Sequence, residues 1–156
     1  MRVDVLALQR FYASSLGDAA RRAAARRLAT LWSHADGLDV LGVGYTSPYL
    51  DRFRGSARRV VTMMPAAQGA EPWPAGAPVA TALSEEARLP FMDAVFDRVL
   101  MVHELEECDA VPAMLREIWR VMAPEGRLVA RYPDCGHDFP ADVRAEAYDW
   151  LREQLK

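Results

Sequence analysis

Five short apolar segments, at residues 38–43, 59–64, 79–83, 96–102 and 127–131, constrain the fold more than any other feature of the chain. Each is bounded by Gly, Pro or Asp and is too short for a helix, so each reads as a strand. Their apolar character is near-continuous rather than alternating, the pattern of strands buried on both faces of a parallel sheet. Parallel neighbours need crossover connections. A helix is predicted over 109–122, with Val111, Leu115, Ile118 and Met122 on one stripe, and Pro124 and Gly126 turn the chain into the fifth strand. A second helix, capped by Asp18 and ending near Gly37, sets Ala20, Ala24, Leu28 and Leu31 at helical spacing and leaves Arg21, Arg22 and Arg26 on a solvated face. The connection 64–79 carries Pro65, Pro72, Pro74 and Pro78 with Gly69 and Gly76, which predicts an extended loop instead of a helix. A last helix is expected over 141–155, with Val143, Ala147, Trp150 and Leu151 facing inward. The pattern is that of a doubly wound α/β domain.

At 156 residues the chain is expected to form one domain, and 51% hydrophobic with 26% charged residues excludes disorder, collagen and coiled coil. A net charge of -3 argues against a nucleic-acid partner, and no apolar run approaches the ~18 residues of a membrane span. Cys108 and Cys135 form neither a C-x-x-C pair nor a zinc spacing, which suits a reducing cytoplasm. The arginine-rich stretch 21–27 superficially suggests a transit peptide, but Asp4, Asp18 and an amphipathic helix explain it more simply.

Two motifs carry chemistry. The first strand runs into Gly42-Val43-Gly44, with Pro48 suited to a first helical position beyond it. Glycine lets backbone approach a ligand closely, although a G-x-G is also a common structural turn. Residues 85–126 add Leu89-Pro90-Phe91, Phe96-Asp97, His103-Glu104-Leu105-Glu106 and Pro124-Glu125-Gly126 in order. Over roughly residues 20–130 this sequence resembles the type-11 S-adenosylmethionine-dependent methyltransferases. The resemblance implies a Rossmann-like, doubly wound α/β fold with a mainly parallel sheet of about five strands, lacking the family's usual terminal strand pair. It divides the single domain into an N-terminal helical segment (1–37), a core (38–131) and a loop with a C-terminal helix (132–156). It further implies S-adenosylmethionine as cofactor and a small-molecule acceptor. Gly42, Val43, Gly44 and Tyr45 would then lie beneath the methionine moiety, with Met64 at the second-strand end. Glu85 and Glu86 stand where an acid contacts the adenine, and His103 is the catalytic candidate at the carboxyl edge of the fourth strand. Phe11-Tyr12 could close over the cofactor or pack in the core.

Three departures bear on activity. The second strand ends Met63-Met64-Pro65, where the family has an acid for the ribose hydroxyls, and the next acid is Glu71. The proline-rich loop replaces a helix, and Tyr45-Thr46-Ser47 stands where a third glycine is common. Residues 131–156 resemble instead the end of an α/β-hydrolase, with His137 in G-H-x-F, yet no G-x-S-x-G elbow exists. Asp134, Cys135, His137 and Asp138 fit no four-ligand metal spacing. A core ending at its fifth strand would leave a sheet edge, which predicts homodimerisation unless the tail covers it. Methyl transfer, a catalytically inactive binding or interaction domain and a hydrolase fragment therefore remain as readings. A nicotinamide dehydrogenase fits only the G-x-G.

Overall fold

A computed structural model describes residues 2–131. Two helices, α1 (Val5–Ala13) and α2 (Ser15–Leu31), precede β1 (Asp39–Gly44), the short α3 (Ser47–Leu50) and a single 3-10 turn (Asp51–Phe53). There follow β2 (Arg59–Pro65), β3 (Thr81–Ser84), β4 (Phe96–Val102), α4 (Val111–Val121) and β5 (Met122–Arg131). The five strands form one parallel sheet in the order β3-β2-β1-β4-β5, the doubly wound α/β arrangement expected. The expected helix 141–155, His137 and the Asp134, Cys135, His137, Asp138 group lie outside the described residues.

Alternation along the central strands builds two cores. Leu41, Val43, Val99 and Met101 face α4, whose Val111, Met114, Leu115, Ile118 and Val121 cover them. Val40, Leu100 and Val102 face the other way, against Ala24, Leu28 and Trp32 of the α2 region and Tyr49, Leu50 and Phe53. The 65–80 connection forms no helix, and Trp73 enters this second core from it. Trp73 is anchored by its ring N–H, which donates to Asp51 at 3.2 Å, and by its backbone N–H, which donates to Thr81 Oγ1 at 3.2 Å.

Several boundaries differ from the sequence expectation for physical reasons. The second helix starts at Ser15 rather than at Asp18, because the Ser14 hydroxyl accepts from the Gly17 N–H at 3.1 Å. Asp18 sits instead in the first turn, paired with Arg21 and Arg22. The helix ends at Leu31, short of Gly37. Helix α1 was not expected; the Asp4 carboxylate caps it through the Ala7 N–H at 2.8 Å. A Cβ on Gly17 would lie 1.9 Å from the Phe11 carbonyl oxygen, so only glycine admits the tight α1–α2 corner. The third strand begins at Thr81 rather than at 79. The fifth begins at Met122: it pairs with Phe96, and the register then resumes at Arg127 opposite Arg98, so 123–126 bulge out around Pro124 and Gly126.

Candidate functional site

Strand order reverses between β1 and β4, and in open α/β sheets ligands bind at the carboxyl ends of the strands beside such a reversal. The glycine loop lies there. Gly44 has φ +84, and a Cβ on it would stand 2.2 Å from the Val102 carbonyl oxygen, so the loop closes on β4 only with glycine. The Tyr45 N–H donates to that same oxygen at 3.0 Å. A Cβ on Gly42 would meet Thr46 Oγ1 at 2.0 Å, which fixes the second glycine by packing.

Across the switch point, His103 follows β4 with φ 58, a left-handed conformation uncommon for a residue with a side chain. That bend directs its ring inward, where it is 8% exposed. Its Nδ1 is 3.1 Å from Glu106 Oε1 and its Nε2 is 3.1 Å from the Tyr12 hydroxyl. A carboxylate can only accept, so in the neutral ring the proton lies on Nδ1 and Nε2 accepts from Tyr12. The Tyr12 and Tyr49 hydroxyls are 3.0 Å apart, extending the chain of polar contacts from Glu106 to Tyr49. Tyr12 also stacks on Tyr45 at 5.4 Å. Of the two candidates Phe11 and Tyr12, it is therefore Tyr12 that lies on the glycine loop.

Helix α1 crosses this edge of the sheet. Leu8 packs with Tyr45 and Met64, joined by Val5, Tyr12 and Ala70. Glu71 reaches back from the proline-rich loop: its carboxylate accepts from Ser47 Oγ, from the Tyr45 hydroxyl at 3.2 Å and from Gln9 Nε2 at 2.7 Å. Burial first, and then the Glu71 charge, push the Tyr45 phenol well above its ordinary range. The structure thus brings Gly42, Val43, Gly44, Tyr45, Met64 and His103 to one edge. Glu86 is tied to that edge through Arg2 at 2.5 Å. Glu85 is exposed in the turn after β3, two strands from the glycine loop, ~10 Å by strand spacing.

Sequence reasoning missed two residues here. Glu104 is 1% exposed, and burial pushes its carboxyl up to about 8 against the opposing pull of Arg2. Gln68 is 2% exposed, and neither its amide nitrogen nor its amide oxygen has a partner among the described residues. A lone buried Glu or Gln in a loop carries no sequence signal. Beside Tyr49, on the α2 face, an open cavity of about 240 Å³ is lined by Arg27 together with Leu28, Leu31, Leu100, Val102 and Val129 among others.

The remaining motif residues have a structural role. Arg120 of α4 donates to the Leu89 carbonyl at 3.1 Å, the Phe91 carbonyl at 2.9 Å, Asp93 at 2.6 Å and Glu117 at 2.7 Å. Glu117 in turn accepts from the Leu89 N–H at 2.9 Å. The Leu89-Pro90-Phe91 segment and the α4 residues occur together because one side chain clamps the other.

The comparisons agree with this fold. The profile of the methyltransferase-domain family Methyltransf_11 matches residues 23–130, and the chain belongs to that family. No curated protein matches. Among solved structures, an S-adenosylmethionine-dependent methyltransferase from Aquifex aeolicus is similar at 18% identity and TM-score 0.54, over 80% of this chain and 77% of that one. A Methanococcus maripaludis protein assigned to the same methyltransferase class is similar at 12% identity and TM-score 0.62, over 97% and 76%. The [4+2]-cyclase SpnF is similar at 24% identity and TM-score 0.57, over 81% and 52%. The chain spans about half the length of several structures it matches. Among the described residues, no helix is long and apolar enough to cross a membrane.

Proposed function

We propose that the chain binds S-adenosylmethionine at the carboxyl edge of β1, β2 and β4 and transfers its methyl group to a small-molecule acceptor. The observation that carries this reading is the glycine loop at the switch point, where Gly44 is forced by its φ and by the Val102 carbonyl. The residues around it fit the cofactor in kind: Gln68 and Glu104 offer buried polar atoms without partners among the described residues, and such groups call for an explanation in a native site. The cofactor, when bound, supplies an electrophilic methyl group on a sulfonium. The chain's own residues would align the acceptor and exclude water. His103 Nε2, oriented by Glu106, would take the acceptor's proton in exchange for its contact with the Tyr12 hydroxyl, and the cavity beside Tyr49 would receive part of the acceptor. In this reading Glu71, the acid the second strand lacks, stands in from the loop. No nucleic acid or membrane takes part, and the cytoplasm is the expected compartment.

A second reading, a binding or interaction domain without turnover, is favoured by one specific observation. Tyr45 and Met64 are buried beneath α1, and the Glu71 carboxylate is already engaged by Ser47, Tyr45 and Gln9. Thermal unfolding with saturating S-adenosylhomocysteine, and NADH as control, separates the readings. Ligand at 100 times its dissociation constant adds ~2.7 kcal/mol, a rise of roughly 5–10 °C for a domain of this size. The expected result is a shift with S-adenosylhomocysteine alone. No shift at millimolar ligand would leave the domain without a cofactor site.

A further inference from the structure

We propose that the Glu104 carboxylate is the seat for the α-ammonium group of the bound cofactor's amino-acid tail, and that Arg2 holds this seat in the ligand-free protein. The inference rests on the adenosyl-cofactor reading above and assigns it a binding residue.

Glu104 lies against the glycine loop itself: a Cβ on Gly44 would stand 2.6 Å from Glu104 Cγ and 2.7 Å from its Oε1. A buried carboxylate is costly unless it is paired and hydrogen-bonded. Only half of that requirement is met. Oε1 accepts from Arg2 Nη1 at 3.0 Å, while the buried Oε2 has no partner among the described residues. Arg2 divides itself between two loops, since its other guanidinium nitrogen donates to Glu86 at 2.5 Å. Its side chain is 7% exposed, although it belongs to the segment that leads into α1 and not to the sheet.

Charge at this point favours a cation. Glu86 and Glu106 repel the Glu104 charge, and Arg2 is the cation that opposes it. Glu106 is engaged with His103, and Glu107 accepts from the Val3 N–H at 3.2 Å. An anionic group would meet several carboxylates here. An ammonium carries three donors on one atom and can serve both oxygens of one carboxylate, which a guanidinium shared with Glu86 does not do. Ahead of Asp4, which caps α1, the segment is held by the Val3 N–H on Glu107 and by the two ion pairs of Arg2 itself. Displacing Arg2 therefore exchanges its ion pair with Glu104 for the ammonium and lifts the short segment ahead of α1, leaving the sheet in place.

Calorimetric titration of the full chain with three ligands tests this. S-adenosylhomocysteine has the ammonium and no sulfonium, S-adenosylmethionine has both, and 5′-methylthioadenosine has neither. Arg2→Ala is expected to tighten S-adenosylhomocysteine binding about tenfold by removing the competitor. Glu104→Gln is expected to weaken it ten- to a hundredfold, the range for a charge-assisted hydrogen bond. Methylthioadenosine should be indifferent to both. The proposal is overturned if Arg2→Ala weakens or does not alter S-adenosylhomocysteine binding, if Glu104→Gln changes all three ligands equally, or if only S-adenosylmethionine responds. In each of those cases methylthioadenosine still binds and the cofactor reading stands. If none of the three ligands binds the unaltered chain, the cofactor reading itself falls, and this inference with it.

Discussion

At the scale of single residues, the edge of the sheet is decided by a few side chains whose environment differs from what their type suggests. Glu104 is the sharpest case. Burial raises its carboxyl from 4.5 to about 8; Arg2, from the segment ahead of α1, opposes the shift, and Glu86, from the turn after β3, and Glu106, from its own turn, support it. Without a bound cation, the folded chain therefore holds a proton on Glu104 that the unfolded chain releases near 4.5, and an ammonium seated there would displace it. Stability should fall as pH rises through that window, by at most about 1.4 kcal/mol per pH unit, and level off above about 8. Asp39 and Glu117 act in the opposite sense. Arg58 and Arg59 hold the first below its ordinary value and Arg120 the second, so their contribution is lost only as the solution becomes strongly acidic. Thermal midpoints measured from pH 4 to 9 should peak near pH 5 and decline toward 8, and Glu104→Gln should flatten the decline. A midpoint that rises from pH 5 to 8 would mean that the attraction of Arg2 outweighs burial.

At the scale of elements, legibility follows from where each element gets its stability. The β4 strand was readable to the residue, and β1 and β2 within one, because long apolar runs between Gly, Pro and Asp leave little alternative. Helix α1 was not readable, since of its nine residues only Leu8 is buried and its hold on the sheet edge is tertiary. The same is true of Glu104, which meets Arg2 and Gly44 from distant parts of the chain, and of Gln68, whose carbonyl accepts from the Val5 N–H. Gly42 and Gly44 were legible as a G-x-G pair, but what fixes them was not: the Val102 carbonyl of β4 for Gly44 and the packed Thr46 side chain for Gly42. The proline-rich connection was legible as a loop, but not as a structural member. Trp73 fills the second core in the place a helix would otherwise cover, and it is 6% exposed. Trp73→Ala should therefore destabilise the chain by about 3–5 kcal/mol, as for a buried aromatic in a helix or strand. That corresponds to a midpoint lowered by roughly 10 °C. A loss below about 1 kcal/mol would show that the loop hangs on the sheet without supporting it.

At the scale of the whole molecule, the two edges of the sheet differ. The β3 edge is four residues long, and it is followed by a turn tied back through the Ser84 hydroxyl to the Arg88 carbonyl at 2.8 Å. The β5 edge runs for ten residues and, among the described residues, pairs with β4 alone. A long strand left open on one side is a template for a second copy, and two-fold homodimers are the commonest oligomers, so pairing between copies is predicted here wherever the residues after 131 do not cover this edge. Arg127 and Ala130 are exposed along β5, with Leu128 and Val129 half-buried between them. Sedimentation equilibrium over a wide concentration range should give a species of twice the 17.4 kDa chain mass. Ala130→Lys, which adds a charge at an exposed edge position, should return the chain to monomer with its thermal midpoint nearly unchanged. A monomer at every concentration would count against pairing at this edge. A dimer indifferent to Ala130→Lys would move the contact to another face, the exposed Leu6 and Leu16 of the N-terminal helices being the next surface to probe.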